Sequence, residues 1–281
     1  MARACQQLKC ACQQLKGDLS KSLLSWLVCL TLSLWPFPAF PNSALIFDGT
    51  DDYCEIPADP TLNLSSEITI EAWVLWGGNS GSIAYQIVLN QDAVAYEIAI
   101  GGALETGHFL WYLDGITSSA PTVSGAWKDA GPIVANEWTH IALIYDGTRV
   151  RTYINGIETG NYSAIGNISI RNNHVRIGAR SVGAATSFFN GAIDEVRLWS
   201  VGRTATEVLE TRDIRYLGAA PGLVANFSFE EGRGQFAGDS GPFWNHARLG
   251  ITSGVDNQDP TWGSSDAIPL SFACQDWNLY R

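Results

Sequence analysis

Three aspartates stand close together near position 50 and form the segment of the sequence best suited to metal binding. Asp48, Asp51 and Asp52 flank the turn-forming pair Gly49-Thr50. Calcium binds to oxygen atoms of carboxylates, backbone carbonyls and water, so this turn is a candidate calcium site. The simpler alternative is that Asp48 only caps the turn through its side chain.

Three aromatic residues have the surroundings that sugar binding requires. Sugar CH groups stack on aromatic rings, while the hydroxyl groups need polar partners nearby. Tyr96, Trp111 and Tyr153 lie beside polar residues in the sequence and are the candidate ligand-binding residues. The alternative is that these rings are buried in the core, which is the common fate of large aromatic side chains in sheet proteins.

Motifs for other chemistries are absent from the sequence. The chain has four histidines, but no Gly-x-Ser-x-Gly elbow that would place a nucleophile beside one of them. There is also no zinc-ligand spacing, phosphate-binding loop or dinucleotide fingerprint. His140, in the sequence Trp-Thr-His, is therefore predicted to be an ordinary strand residue.

Composition and charge restrict the class of protein further. The 281 residues include 46% hydrophobic residues, 11 Trp and 28 Gly, which favours a sizeable core and a β-rich fold with many turns. The 17 basic and 28 acidic residues give a net charge of -11. A negatively charged protein repels phosphate backbones, so nucleic acid is not an expected partner.

The first 44 residues are predicted to be a signal peptide or an uncleaved N-terminal anchor. Basic residues precede an apolar stretch that begins at Leu23 and is interrupted by Pro36 and Pro38. The uninterrupted part is shorter than the roughly 20 apolar residues of a spanning helix, so cleavage near Ala44 is favoured. The protein is therefore expected to be secreted or at the cell surface, with a membrane contact only if this segment is retained.

Two cysteines remain when residues 1–44 are set aside. Cys54 stands near the start of the remaining chain and Cys274 near its end. In an oxidising compartment two cysteines can form one disulfide. The first and last strands of a β-sandwich are often neighbours, so a bond between Cys54 and Cys274 is predicted, with two unpaired thiols as the alternative.

The elements that must position these side chains are short strands in a single domain. Alternation over Glu67 to Trp76 places Ile68, Ile70, Ala72 and Val74 on one face of a strand. Tight hairpins are predicted at Asp146-Gly147 and Asn155-Gly156, since these pairs tolerate positive φ. A short helix follows Ser200, with Thr204 or Thr206 as its N-cap. The sequence predicts one domain over residues 45–270 and a C-terminal tail over 271–281. Other strands are predicted at 45–49, 53–56, 85–89, 94–100, 108–113, 138–159, 174–178, 188–199 and 223–229.

An ordered series of motifs extends over nearly all of this domain. It comprises Phe47-Asp48-Gly49, Ile70-Glu71-Ala72-Trp73-Val74, Trp138-Thr139-His140, Tyr145-Asp146-Gly147, Tyr153-Ile154-Asn155-Gly156, and Phe189 to Trp199. The series resembles a LamG-like domain of the concanavalin A-like lectin/glucanase superfamily. The tryptophans in these motifs, Trp73, Trp138 and Trp199, are assigned to the core.

The resemblance implies a fold and a general function. The fold is all-β, a jelly-roll sandwich of two antiparallel sheets with one short helix. Similar domains are mostly secreted and bind glycans or proteins, so we expect a non-catalytic module for carbohydrate or an extracellular protein. Related jelly rolls often hold a structural calcium ion with an Asp on a late strand, which points to Asp194 together with Asp48. The alternative is that Asp194 only pairs with Arg197 or with a backbone N–H.

The same superfamily contains glucanases whose catalytic strand reads Glu-x-Asp-x-Glu. This chain has Glu67-Ile68-Thr69-Ile70-Glu71, and alternate residues share one face of a strand. Glu67 and Glu71 could therefore act as the carboxylate pair of a retaining hydrolase. Thr69 replaces the central aspartate, however, and its hydroxyl cannot supply the negative charge that separates the two pKa values. A jelly-roll glycoside hydrolase is therefore the alternative function, and a membrane-anchored structural surface protein is the third.

Overall fold

The computed structural model describes residues 42–79, 84–91, 95–182, 184–216 and 218–268. The predicted leader, up to residue 41, and Cys274 lie outside the described residues. The disulfide between Cys54 and Cys274 therefore stays a prediction, although Cys54 itself is fully buried. No helix in the described part of the chain is long and apolar enough to cross a membrane.

Most of the described chain forms two antiparallel sheets, as the sequence predicts. Sheet 1 has the strand order β20-β1-β16-β3-β10-β11-β12-β7, and β17 pairs with β16 outside this path. The bounds of its strands are β1 Ser43–Asp48, β3 Ile68–Trp76, β7 Ile116–Ser118, β10 Trp138–Tyr145, β11 Arg149–Ile154, β12 Ile157–Gly166, β16 Asn190–Trp199, β17 Leu223–Phe227 and β20 Thr261–Ser264.

Sheet 2 faces sheet 1 and has the strand order β18-β19-β2-β13-β4-β5-β6-β9-β8. The bounds of its strands are β2 Cys54–Ile56, β4 Tyr85–Gln91, β5 Tyr96–Gly101, β6 His108–Leu113, β8 Thr122–Ser124, β9 Trp127–Pro132, β13 Val175–Ile177, β18 Phe236–Ala237 and β19 Ala247–Leu249. A separate hairpin pairs β14, Arg180–Val182, with β15, Ala184–Thr186.

The core lies between the two sheets and follows the period of two of each strand. In β3 the residues Ile68, Ile70, Ala72 and Val74 are completely buried in it, as their alternation predicts. The predicted hairpins are also present, since β10 pairs with β11 and β11 with β12. At the turn between β11 and β12, Asn155 has a φ of 51° and the next glycine a φ of 78°, values that suit an Asn-Gly pair.

One helix, α1, covers part of the outer face of sheet 1 and spans Ala205–Thr211. Its N-cap is Thr204, whose hydroxyl accepts a hydrogen bond from the Glu207 N–H. The Glu207 carboxylate in turn accepts one from the Thr204 N–H, which completes a capping box. Of the two caps that the sequence allows, the structure uses Thr204 and leaves Thr206 exposed.

The tryptophans assigned to the core lie outside the space between the sheets. Trp73 and Trp199 are buried on the outer face of sheet 1, Trp73 against Ala267 and Ile268. Trp138 packs beside Trp73 and is only partly buried. The core assignment is therefore confirmed for Trp73 and Trp199, which belong to small buried clusters outside the space between the sheets, and is wrong for the partly buried Trp138.

Candidate functional site

The outer face of sheet 2 gathers polar and aromatic side chains from four neighbouring strands of the sheet and from the adjoining strand β14. In β5 and β6 the register pairs Glu97 with Tyr112, and side chains of directly paired residues point to the same side of a sheet. Glu97 and Tyr112 face outward because their neighbours Tyr96 and Trp111 belong to the core between the sheets. We call this surface the sheet 2 face; its main members are Tyr85, Asn90, Glu97, Tyr112, Trp127 and Arg180.

An ion pair stands at the centre of the sheet 2 face. Arg180 donates from Nε to Glu97 Oε1 at 2.7 Å and from Nη2 to Oε2 at 2.6 Å. Asn90 Nδ2 donates to the same Oε1 at 2.6 Å. Burial raises the pKa of Glu97, while the Arg180 charge opposes this effect. The Glu97 side chain is completely buried, whereas 25% of the Arg180 side chain is exposed, so the guanidinium is the part of the pair that a ligand can reach.

Aromatic rings surround this ion pair. The Arg180 guanidinium lies 5.4 Å from the centre of the Trp127 ring, and Trp127 packs at 4.8 Å against Tyr85. Trp127 is buried, but Tyr85 and Tyr112 are both partly exposed. The Tyr112 hydroxyl donates to Asp114 at 2.9 Å, which fixes its ring. The face therefore offers two partly exposed tyrosines beside a charged hydrogen-bond donor.

The three aromatic residues predicted to bind the ligand are all buried. Tyr96 and Trp111 point into the core between the sheets, and the Tyr96 hydroxyl donates to the Leu62 carbonyl. Tyr153 is 1% exposed and packs with Val208 of α1. None of these rings can stack on a sugar, so the prediction is wrong for all three. Their surroundings in the sequence are polar because the next residue along each strand faces the other way.

The aspartates near position 50 come together as the sequence predicts. Ligand atoms of Asp48, Asp51 and Asp52 lie within 4.8 Å of one another. Asp48 Oδ1 accepts hydrogen bonds from the N–H groups of Thr50 and Asp51, so Asp48 caps the turn as the alternative predicts. Burial, together with the charges of Asp48, Asp51 and Asp259, raises the pKa of Asp52 to about 7. Repulsion among these carboxylates is what a bound dication would relieve, so their donor set fits calcium.

Asp194 does not contribute to this acidic cluster. Asp48 pairs with Asn190, which places Asp194 four residues further along β16, or about 13 Å away at roughly 3.3 Å per residue. The Asp194 carboxylate is buried and accepts hydrogen bonds from the Glu195 N–H and the Ser265 hydroxyl. Burial and the neighbouring Glu195 raise its pKa to about 8. The structure thus separates the two predicted metal ligands and supports the backbone N–H alternative for Asp194.

The two carboxylates predicted as a hydrolase pair, Glu67 and Glu71, both accept hydrogen bonds from other parts of the protein. Glu71 is completely buried and accepts a hydrogen bond from Arg203 Nη1 at 2.6 Å. His140 Nε2 lies 3.4 Å from Glu71 Oε2. Although burial raises the pKa of Glu71, His140 and Arg203 outweigh this effect and hold it at about 2. Glu67 accepts a hydrogen bond from the Gly202 N–H. These two carboxylates therefore hold the segment between β16 and α1 against sheet 1.

Comparison with known proteins identifies the class of this chain. Residues 48–209, more than half of the sequence, match the third laminin G family, described as part of the concanavalin A-like lectin/glucanase superfamily. The chain belongs to this superfamily. No curated protein matches the sequence.

Solved structures of similar fold include a protein named for carbohydrate binding and a pentraxin. A candidate carbohydrate-binding protein from Bacteroides ovatus is 19% identical, with a TM-score of 0.63 over 83% of this chain and 63% of that one. The chain thus spans less than two thirds of that protein. A heptameric pentraxin from Limulus polyphemus is 13% identical, with a TM-score of 0.46 over 62% of this chain and 82% of that one.

Proposed function

We propose that the chain is a non-catalytic carbohydrate-binding module whose ligand lies on the sheet 2 face. The observation that carries this proposal is the placement of the partly exposed rings of Tyr85 and Tyr112 around the Arg180–Glu97 pair. A sugar ring can stack on a tyrosine while its hydroxyl groups accept hydrogen bonds from the guanidinium. The Bacteroides ovatus protein of similar fold supports the same general function.

Binding without catalysis is favoured over glycoside hydrolysis by the state of the carboxylates. A retaining hydrolase needs two carboxyl groups about 5 Å apart that contact the substrate. Glu67 and Glu71 are engaged with Gly202 and Arg203 on the other sheet. On the sheet 2 face, both oxygens of Glu97 accept hydrogen bonds from Arg180. Neither oxygen of Glu97 is then open to act as nucleophile or general acid.

Calcium is part of the proposal, with Asp48, Asp51 and Asp52 as its ligands in place of the predicted Asp48 and Asp194. One oxygen of Asp51 accepts a hydrogen bond from Asn257 Nδ2 and one oxygen of Asp52 accepts one from the Asp48 N–H. Each carboxylate keeps a second oxygen as a potential ligand. When bound, calcium would supply a positive charge between these carboxylates. It would thereby link the end of β1 to the start of β2 and, through Asp51, to the segment containing Asn257. The role is structural, since these residues are not members of the sheet 2 face.

The protein is further proposed to act outside the cell or at its surface. The basic and then apolar segment before residue 45 supports this location. Extracellular glycans are then the accessible ligand class, and an extracellular protein ligand is the competing outcome. Mass spectrometry of the purified protein from its natural source determines the N-terminal residue, and a retained segment 1–44 would replace secretion by anchoring.

The glycan proposal is tested with a glycan array followed by calorimetry on the glycan that binds best. We expect Tyr112→Ala and Arg180→Ala each to weaken binding at least tenfold, which corresponds to about 1.4 kcal/mol. Tyr162→Ala is the matched control, because Tyr162 is also a partly exposed strand tyrosine but belongs to sheet 1. Equal affinities in all four proteins would exclude the sheet 2 face. Release of new reducing ends from the bound glycan would favour the hydrolase instead.

The calcium proposal is tested by thermal unfolding in excess EDTA and again in millimolar calcium. An ion that binds only the folded state raises the unfolding temperature by mass action. We expect a rise for the wild type and for Asp194→Asn, and no rise for Asp51→Asn. A rise that is lost in Asp194→Asn and kept in Asp51→Asn would restore the site predicted from the sequence.

A further inference from the structure

A second group of metal-ligating side chains stands at one end of β6, apart from the acidic turn. Glu105 lies in the turn between β5 and β6, His108 is the first residue of β6, and Asp129 belongs to β9. One ligand atom of each lies within 4.8 Å of the other two. Three separate segments of the chain therefore bring an imidazole and two carboxylates to one point.

The strand pairing of β6 with β9 fixes two of the three residues. His108 Nδ1 lies 3.0 Å from each carboxylate oxygen of Asp129. Asp129 is opposite Leu110, immediately after a shift in register that leaves Ala130 without a partner in β6. The Gly131 N–H donates to Asp129 Oδ1 at 2.7 Å. Because of this bulge, Asp129 lies on the same face of sheet 2 as His108 and close to it.

The turn before β6 fixes the third residue. Glu105 has a φ of 49°, a conformation that non-glycine residues adopt rarely. Its carbonyl accepts a hydrogen bond from the His108 N–H at 2.9 Å, and Thr106 Oγ1 donates to the Gly102 carbonyl at 2.6 Å. The Glu105 side chain itself is exposed. Only the side-chain torsions of Glu105 therefore need to be ordered when it closes on a bound ion.

The donor set identifies the kind of ion. Imidazole nitrogen suits zinc, copper, iron and nickel better than it suits calcium, which prefers oxygen. With neutral His108 the three residues carry two negative charges, which balance those of a dication. We propose that Glu105, His108 and Asp129 bind a divalent transition-metal ion of the zinc type. The side chains of His108 and Asp129 are 30% and 26% exposed, so solvent or an external ligand can complete the coordination.

This site borders the sheet 2 face without depending on the function proposed for it. His108, Leu110 and Tyr112 share the outer side of β6, so His108 is about 13 Å from Tyr112 along the strand. An ion with open coordination positions at this distance contacts a ligand of several sugar units, whereas a single sugar on Tyr112 does not reach it. Metal binding is therefore measured first by itself.

The first experiment is a titration of the full-length protein with Zn²⁺ by calorimetry in a buffer free of phosphate. We expect one Zn²⁺ equivalent to be lost, or its affinity to fall at least tenfold, in His108→Ala and in Glu105→Gln. Changes to outer partners of metal sites already cost tenfold or more. Glu105→Gln changes an exposed side chain and preserves the fold if His108→Ala does not. His174→Ala is the control, since His174 is a partly exposed histidine near Glu55 that does not belong to the group of Glu105, His108 and Asp129. The control should bind like the wild type.

Cobalt(II) separates this site from the cysteines of the N-terminal segment. The chain has six cysteines, and thiolate ligands give Co²⁺ an intense near-ultraviolet charge-transfer band that nitrogen and oxygen ligands do not. We expect a visible Co²⁺ absorption without that band to disappear in His108→Ala and to persist in Asp51→Asn, which alters only the proposed calcium site. If the wild type and His108→Ala bind both ions equally, or the wild type binds neither, His108 and Asp129 form an ion pair only and the proposal is overturned.

Discussion

The outer faces of the two sheets differ in what covers them. On sheet 1, α1 and the residues around it enclose Glu71, His140, Glu195, Arg197 and Arg203, all at most 5% exposed. Over the outer face of sheet 2, polar and charged residues such as Arg180, His108 and Asp129 remain partly open to solvent. A buried charged side chain destabilises the fold unless it is paired. A partly exposed charged side chain can instead offer hydrogen-bond donors or acceptors to a ligand. The first face therefore contributes to the stability of the fold, whereas the second leaves charged groups accessible from the solvent.

The largest test of this comparison is Glu71→Ala. Removal of the carboxylate leaves the buried Arg203 guanidinium with neutral acceptors only and without its charged partner. We expect the free energy of unfolding to fall by about 3–5 kcal/mol, as measured by urea denaturation. Glu137→Ala, an exposed carboxylate change on the loop before β10, should cost less than about 0.5 kcal/mol. If the two variants are equally stable, the covered face does not hold the fold.

The pH dependence of stability is a second test of the outer face of sheet 1. The pKa of Asp194 is raised to about 8 by burial and by Glu195. The folded state therefore binds a proton that the unfolded state releases near pH 4. The contribution of this proton to the free energy of unfolding is complete below about pH 4 and is lost as the pH rises through about 8. The loss is at most about 1.4 kcal/mol per pH unit.

Urea denaturation between pH 5 and pH 9 measures this loss. Asp194→Asn keeps an oxygen for the Glu195 N–H but cannot ionise, so we expect a flatter pH profile than for the wild type. Glu230, whose pKa burial raises to about 7, should leave part of the slope in place. An unchanged slope in Asp194→Asn would show that Asp194 is already ionised in the folded protein at neutral pH.

A smaller effect is expected at the start of α1. Thr204→Ala removes the hydroxyl that accepts from the Glu207 N–H and should lower the free energy of unfolding by about 1 kcal/mol. Thr206 is the second residue of the helix and is exposed, so Thr206→Ala should leave the free energy of unfolding unchanged or raise it slightly. Thermal unfolding of both variants compares the two directly. The opposite ranking would mean that the capping box does not contribute to holding α1 on sheet 1.

The smallest effect on stability should come from a residue beside the sheet 2 face. Arg171 pairs with Asp114, with 38% and 26% of their side chains exposed, and Asp114 also accepts from the Tyr112 hydroxyl. Solvent screens such a pair, so Arg171→Ala should change the free energy of unfolding by less than about 1 kcal/mol. A loss near that expected for Glu71→Ala would remove the distinction between the two faces.

The sequence predicts the strands of this fold well where their residues alternate. The β3 pattern, the hairpin turns and the short helix after Ser200 are all confirmed, because period and turn chemistry are local properties. The β9 strand is not among the predicted strands, and the Gly131-Pro132 pair within it is of a kind typical of turns. Trp127 and Asp129 of the candidate sites lie on this strand and are therefore not predicted either.

The faces of the strands could not be predicted from the sequence in the same way. Tyr96 and Trp111 were preferred for binding, but the structure turns their neighbours Glu97 and Tyr112 outward. A shift of one residue exchanges the two faces of a strand, and here both faces carry apolar or aromatic residues. The separation of Asp194 from Asp48 has a similar cause, because it depends on the register of β16 against β1, which places Asn190 opposite Asp48. Nothing near Asp194 in sequence reveals that pairing.

The pairing of β1 with β20 has a mechanical consequence. These strands are antiparallel, with Ser43 opposite Ser264, and Asn42 Nδ2 donates to the Ile268 carbonyl. Both ends of the domain thus leave from the same end of one strand pair. A pulling force applied through these two ends would break the hydrogen bonds between β1 and β20 one at a time. The two strands should therefore separate at low force.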